Sequence, residues 1–307
     1  MNTLINLYQS GQMAQAEQAC SELLQTYPQS LTILNLLGAV LSSQGQLQQA
    51  VQVFDQIIQL KPDLAGVYST RGVALKKLGQ LEAAVASYDQ AIQIQPDLAQ
   101  AYYNRGNALR DLGQLEEAVD SYNQAIELQP DYAQAYSNRG NALRDLGQLE
   151  AAVASYDKAI ELELDFEAYS NRGVALTELS QLEAAVDSCN QAIELQPGLA
   201  GAYSNRGSAL QKRGQLEAAV ASYNRAIELQ PDYAQAYCNR GVVLRDLGQM
   251  EEAVDSCNQA IQLQPDYAEA YSNRGNALRD LGQLGAAVDS YNRAIQLQPD
   301  YAEAYNN

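Results

Sequence analysis

The chain has 307 residues, 47% of them hydrophobic, with 19 Lys and Arg against 37 Asp and Glu, no His, and a formal charge of −18. That balance argues against a surface for nucleic-acid phosphates or anionic lipid headgroups, and the lack of His removes the commonest general acid–base group. No apolar run approaches the roughly 20 residues of a membrane helix, and the opening MNTLINLYQSGQ lacks the basic start and long apolar core of a signal peptide, so a cytoplasmic protein is expected.

The chain opens on an incomplete copy of a unit that then recurs. Gly11, Ala16, Cys20 and Pro28 precede Gly45, Ala50, Phe54 and Pro62 by 34 residues each. Residues 1–30 therefore hold a partial unit with a short first helix. Residues 31–64 hold a divergent full one, with Leu34 where later copies have Tyr. Full copies follow near 65–98, 99–132, 133–166, 167–199, 200–233, 234–267 and 268–301, and a stub at 302–307 begins another. The stub fits either an excerpt of a longer protein or an open end that another molecule covers.

The copy at 99–132 shows the logic of the unit. Tyr102, Gly106, Leu109 and Leu112 share one face of a first helix. Leu115, Ala118, Val119, Tyr122, Ala125 and Ile126 do the same on a second. Gly113 stands between them, where a left-handed residue ends a helix at little cost. Pro130 closes the second helix, and Asp131 is expected to cap the next. Gly106 costs roughly 1 kcal/mol of helix propensity against Ala, so its recurrence predicts a close approach of two helices.

The middle is less regular. ELELDFEAY at 161–169 is one residue shorter than its counterpart and has Leu164 in place of proline, so a different turn is predicted. Ser180 replaces the glycine between helices in the next copy. Cys20, Cys189 and Cys257 fall in the column of Phe54, Tyr88 and Tyr122, and Cys238 replaces a serine. All four read as buried thiols, with no metal-ligand spacing among them.

One helix pair cannot bury its own apolar face, but stacked pairs can. The 34-residue period, with Tyr102, Gly106, Leu109, Ala118, Tyr122, Ala125 and Pro130, resembles the tetratricopeptide repeat (TPR). The resemblance implies an all-α, right-handed superhelical solenoid of antiparallel helix pairs. It would be a single domain over 1–307, with eight full repeats and partial repeats at both ends.

TPR first helices line a concave surface, so the resemblance places the polar line Gln100, Asn104, Asn107 and Asp111 in a groove. The first asparagine recurs as Asn138, Asn171, Asn205, Asn239 and Asn273. The second recurs as Asn141 and Asn276, with Val73, Val174, Ser208 and Val242 elsewhere. An amide can both donate to and accept from a peptide backbone, so the candidate peptide-binding residues are these nine asparagines. The phrase AYSNRGN at 135–141 resembles the asparagine ladder in the TPR arm of O-GlcNAc transferases, although no transferase domain is present. Ordinary TPR consensus is the other account of the same asparagines. Six rungs at roughly 0.5–1.5 kcal/mol each give about 3–9 kcal/mol against an association cost of about 4–15, so side-chain anchors would be needed too.

Co-chaperone TPRs clamp a C-terminal carboxylate with lysine at the position that holds Ser69, Tyr103, Ser137, Ser170, Ser204, Cys238 and Ser272 here, which argues against that mode. Arg71, Arg105, Arg139, Arg172, Arg206, Arg240 and Arg274 flank the core stripe, either as packed stems or as a row of groove-edge cations. No phosphate loop or cofactor motif appears. The expected function is a non-catalytic scaffold that binds a polypeptide. The alternatives are the recognition arm of a larger enzyme, such as a glycosyltransferase, and self-association through uncapped ends.

Overall fold

The computed structural model describes residues 2–299, so the stub at 302–307 lies outside the described residues. Among those residues every regular element is an α-helix. The chain forms two compact units, Met1–Gln148 and Leu149–Asn307. The first contains α1 (Asn2–Gln9), α2 (Met13–Thr26), α3 (Leu31–Ser43), α4 (Leu47–Leu60), α5 (Ala65–Lys77), α6 (Leu81–Ile94), α7 (Ala99–Asp111), α8 (Leu115–Leu128) and α9 (Ala133–Asp145). The second contains α10 (Leu149–Leu162), α11 (Phe166–Glu178), α12 (Leu182–Leu195), α13 (Ala200–Lys212), α14 (Leu216–Leu229), α15 (Ala234–Asp246), α16 (Met250–Leu263), α17 (Ala268–Asp280) and α18 (Leu284–Leu297).

The first unit stacks four helical hairpins, α1–α2 to α7–α8, and each second helix packs on the following first helix, ending with α8 on α9. The second unit starts with α10 on α11 and stacks four more hairpins, α11–α12 to α17–α18. Successive first helices also touch, α5 with α7 and α7 with α9 in one unit, and α11 with α13, α13 with α15 and α15 with α17 in the other. First helices thus form one layer of each unit and second helices the other.

The core sits between the layers. Tyr88, Tyr122, Tyr156 and Tyr223 are fully buried, as are Ala118 and Ala125 beside them. The recurrent glycine faces the ring. A Cβ built on Gly106 would lie 2.7 Å from Cε1 of Tyr122, and one on Gly38 would lie 2.5 Å from Phe54. Where cysteine replaces the ring the fit stays close, at 2.6 Å from Gly173 to Sγ of Cys189 and 3.3 Å to the Ala185 carbonyl oxygen. The mid-helix glycine is therefore a packing requirement, as its recurrence predicts.

Each first helix ends the same way. Gly113, at φ 77°, follows α7. Its N–H donates to the Arg110 carbonyl at 2.9 Å, and the Gln114 N–H donates to the Leu109 carbonyl at 2.9 Å. This paired Schellman pattern satisfies carbonyls that the helix end would otherwise leave open. Ser180 holds the same place at φ 59°, the one non-glycine residue with positive φ among the described residues.

The helix starts correct one expectation. Asp131 does not cap α9; the N-cap residue is Tyr132, which makes no side-chain capping bond. Instead the Ala133 N–H donates to the Asp131 carbonyl and the Ala135 N–H to the Tyr132 carbonyl, both at 3.0 Å. Backbone acceptors already satisfy the first turn there. The shortened 161–169 turn does differ, as its sequence predicts. Losing one residue brings Asp165 to the cap of α11, where its side chain accepts from the Glu167 N–H at 2.9 Å, and Leu164 is 69% exposed.

A left-handed residue with a Cβ costs roughly 1–2 kcal/mol more than glycine. Ser180→Gly is expected to raise the urea midpoint, with a gain of about 1 kcal/mol, while Gly147→Ser, at φ 74°, should lose a similar amount. No change at Ser180 would contradict the strain read from its φ.

Candidate functional site

The arginine column turns inward rather than lining the site. Arg105 of α7 donates through Nε to Asp89 Oδ1 on α6 at 2.6 Å and through Nη1 to Ser121 Oγ on α8 at 2.7 Å. One first helix is thereby pinned to the second helices before and after it. Arg71 and Arg172 repeat this with Asp55 and Ser87, and with Asp157 and Ser188. Arg206, Arg240 and Arg274 use Asn190, Asn224 and Asn258 in place of the aspartate. Arg139, Arg206, Arg240 and Arg274 also lie about 5 Å over the ring of the tyrosine three residues earlier, a cation–π contact. The acidic charge is concentrated on the other layer. Lys158, Arg225 and Arg293 are the only cations within the second helices.

All nine candidate asparagines are half-buried on first helices. The first column reaches backward across the repeat. Asn138 Nδ2 donates to the Tyr103 hydroxyl at 3.0 Å and to Asn107 Oδ1 at 2.9 Å. Asn205 Nδ2 donates to Ser170 Oγ at 3.0 Å, and Asn273 Nδ2 to Cys238 Sγ at 3.3 Å. Every partner lies on the preceding first helix, 35 residues earlier except for Asn107, which is 31 residues earlier. Asn104 and Asn239 instead accept from the glutamine one turn before, Gln100 at 3.1 Å and Gln235 at 2.8 Å. Asn171 and Asn141 occupy the same columns on α11 and α9.

The second column supports the core ring. The Tyr122 hydroxyl donates to Asn107 Oδ1 at 2.8 Å and Tyr291 to Asn276 Oδ1 at 2.9 Å. Ser208 and the Tyr223 hydroxyl share a bond of 3.0 Å. Where this column holds Val174 or Val242, the ring is replaced by Cys189 or Cys257, each facing the glycine just before that valine. Val73 breaks the pairing, and the buried Tyr88 hydroxyl has no hydrogen-bond partner. This coupling of two columns is visible in the sequence once both are compared. Treating each column alone misses it.

Two further features are missed by column reading. Tyr103, where most copies have serine, packs against Tyr132 with ring centroids 4.9 Å apart. A hollow of about 200 Å³ lies between α11 and α13, lined by Val174, Thr177, Glu178, Asn205, Ser208 and Lys212. The cysteines are buried and free. Burial pushes the Cys189 and Cys257 thiols up to about 12, so they stay protonated and unreactive at neutral pH. Among the described residues no group of three or more His, Cys, Asp or Glu side chains is placed to hold a metal ion, and no helix is long and apolar enough to cross a membrane.

The column coupling predicts opposite responses to one chemical change. Tyr122→Phe removes a satisfied bond and is expected to cost about 0.5–1.5 kcal/mol. Tyr88→Phe removes an unpaired buried hydroxyl, and is expected to be neutral or stabilising by up to about 1–3 kcal/mol. Equal losses in urea denaturation would refute the coupling.

The TPR repeat profile matches residues 74–109, 106–143, 207–244 and 275–307. Tetratricopeptide repeat profiles match 133–166, 166–199 and 234–267, together with 7–72 and 256–289. No curated protein sequence matches the chain. Among solved structures, a tetratricopeptide repeat protein from Parabacteroides merdae ATCC 43184 is 19% identical, with a TM-score of 0.66 over 79% of this chain and 96% of that one. The APC/C hetero-tetramer Cut9–Hcn1 is 16% identical, with a TM-score of 0.64 over 95% of this chain and 57% of that one. YrrB, described as a TPR protein with an unusual peptide-binding site, is 28% identical, with a TM-score of 0.49 over 60% of this chain and 95% of that one. The first two share the fold, the profiles span most of the sequence, and the chain belongs to the tetratricopeptide repeat family.

Proposed function

We propose that the first-helix face binds extended polypeptide segments, which makes this a non-catalytic, cytoplasmic protein–protein interaction scaffold. One observation carries the reading. Asn205 and Asn273 each commit Nδ2 to the preceding first helix, and no partner is seen for either Oδ1 among the described residues. A fixed amide with an open carbonyl is a preorganised acceptor for a ligand N–H, with little side-chain freedom left to lose on binding. Asn205 also forms part of the wall of the 200 Å³ hollow, which is sized for one ligand side chain. Backbone capture and a side-chain pocket therefore lie together, which meets the need for anchors beyond the ladder. The nine asparagines are not equivalent in this reading: Asn107 and Asn276 serve the core, while Asn205 and Asn273 serve a ligand.

A linear peptide library panned on the full chain tests this. Enriched peptides are expected to bind Asn205→Ala/Asn273→Ala roughly 5- to 150-fold more weakly, the equivalent of losing two hydrogen bonds, with circular dichroism unchanged. Equal affinity for both proteins would remove the ladder from the binding function.

A second reading, end-to-end self-association, draws on α18. Leu284 and Val288 are 63% and 55% exposed, whereas their counterparts Leu115 and Val119 on α8 are half-buried. Heterologous contacts of this kind produce open assemblies. Light scattering is expected to show mass rising with concentration, reversed by Leu284→Glu/Val288→Glu. A constant monomer mass would exclude it.

A further inference from the structure

We infer that a hollow above Leu34, in the first unit, is a binding site for a tyrosine side chain of a partner polypeptide. The site is built by α2, α3 and α4 and uses none of the nine asparagines, so it stands independently of the reading of the first-helix face.

Leu34 breaks a column. The same position holds tyrosine in all seven later repeats, from Tyr68 and Tyr102 to Tyr271. Two contacts show where those rings lead. The Tyr271 hydroxyl donates to the carbonyl of Pro265, six residues earlier, at 3.4 Å. A side-chain hydrogen bond joins Tyr203 to Arg225, 22 residues later on the second helix of the same hairpin. From Leu34 the same two steps lead to Pro28 and to Gln56. Both border an open hollow of about 420 Å³, with Leu24 and the buried Leu34 beneath it and Gln29, Gln59 and Leu60 beside it. The hollow is therefore the space that a tyrosine ring takes in the later repeats. Tyr27, at the same turn, is 59% exposed and does not fill it. Leu37 stands where later repeats place an arginine over the ring, as Arg139 lies over Tyr136, so no cation closes it.

The lining selects the occupant. Leu24, Pro28, Leu34 and Leu60 form an apolar bed, and three glutamines, Gln29, Gln56 and Gln59, supply the polar edge. None of the three has a hydrogen-bond partner among the described residues. Later repeats carry Asp63 and Asp97 in the column of Gln29, and Glu127 and Glu161 in that of Gln59. In a strongly acidic chain this hollow is thus lined without a charge. It lacks the carboxylates that would draw a basic side chain and the cations that would hold an acidic or phosphorylated one. An amide can donate to a hydroxyl and accept from it, and tyrosine joins such a hydroxyl to an apolar ring.

The test uses the full chain and N-acetyltyrosinamide, with the phenylalanine and leucine analogues alongside, followed by ligand line broadening in NMR titrations. Leu34→Tyr installs the residue of the later repeats, so the variant keeps the fold and fills the hollow with its own ring; circular dichroism checks the fold. Saturable binding of N-acetyltyrosinamide is expected, weakened about tenfold or more by Leu34→Tyr. Gln56→Ala, at an exposed position, is expected to weaken it about 2- to 10-fold, the equivalent of one hydrogen bond, and to leave the phenylalanine analogue unaffected. Absence of saturable binding to the unaltered chain overturns the site, as does binding that Leu34→Tyr retains. Equal affinity for the leucine analogue overturns the choice of tyrosine. A mass that rises with concentration and is reversed by Leu34→Tyr gives the hollow to a second copy of the chain and overturns a separate partner.

Discussion

The contact between a first-helix glycine and a buried aromatic ring sets the spacing of each hairpin. A ring placed 2.5–2.9 Å from where a Cβ would stand leaves no room for any other residue. The ring then fills the space between layers, and Ala118 and Ala125 beside Tyr122 let the neighbouring backbones close around it. Overpacking by one methyl group costs about 1–3 kcal/mol, which exceeds the roughly 1 kcal/mol that glycine loses in helix propensity. Glycine is retained for that reason. With Cys189 in place of a ring, Gly173 still meets the Ala185 carbonyl and the thiol, so the helix spacing outlives the ring that accompanies it elsewhere.

Polar groups are fitted around that contact. The ring hydroxyl needs an acceptor once it is buried, and Asn107 or Asn276 supplies it from the first helix. The arginine pins work at the next level, between hairpins. Their aspartate partners are about half exposed, so the ionic part of each pin contributes at most about 1 kcal/mol. The bond to a serine that is almost wholly buried adds about as much. The pins therefore fix the register of second helices against first helices more than they add stability. They also place positive charge between first helices of mixed charge and second helices whose charged residues are mostly acidic.

The same side-chain types divide their labour along the chain. An asparagine whose oxygen receives a core hydroxyl has spent its acceptor inside the protein. An asparagine whose nitrogen is held by the preceding helix has an acceptor to offer outside. In the first unit Asn107 receives the Tyr122 hydroxyl, while Asn138 is held through its nitrogen by Tyr103 and Asn107. In the second unit Asn205 and Asn273 are held through their nitrogens alone, and Asn205 also borders a hollow between α11 and α13. A chain of near-identical repeats thus presents different chemistry at successive steps without changing its fold.

The sequence by itself determined the period, the helix positions, the glycine that ends every first helix but α11, the buried column of rings and thiols, and the family. These follow from spacing within one helix or one hairpin, where 3.6-residue periodicity and glycine's left-handed conformation act locally. The tertiary structure decided the rest. Arg105 finds partners 16 residues away on either side, and Asn138 reaches a hydroxyl 35 residues back. Asp131 gives up the cap expected of it because the backbone of its own turn supplies the acceptors. Tyr103 of α7 meets Tyr132, the residue that precedes α9, only because α9 packs beside α7. Apart from the turn at Asp131, these contacts join residues on different repeat segments, and which atoms meet there depends on how the helices pack and on side-chain rotamers that a repeat period does not specify.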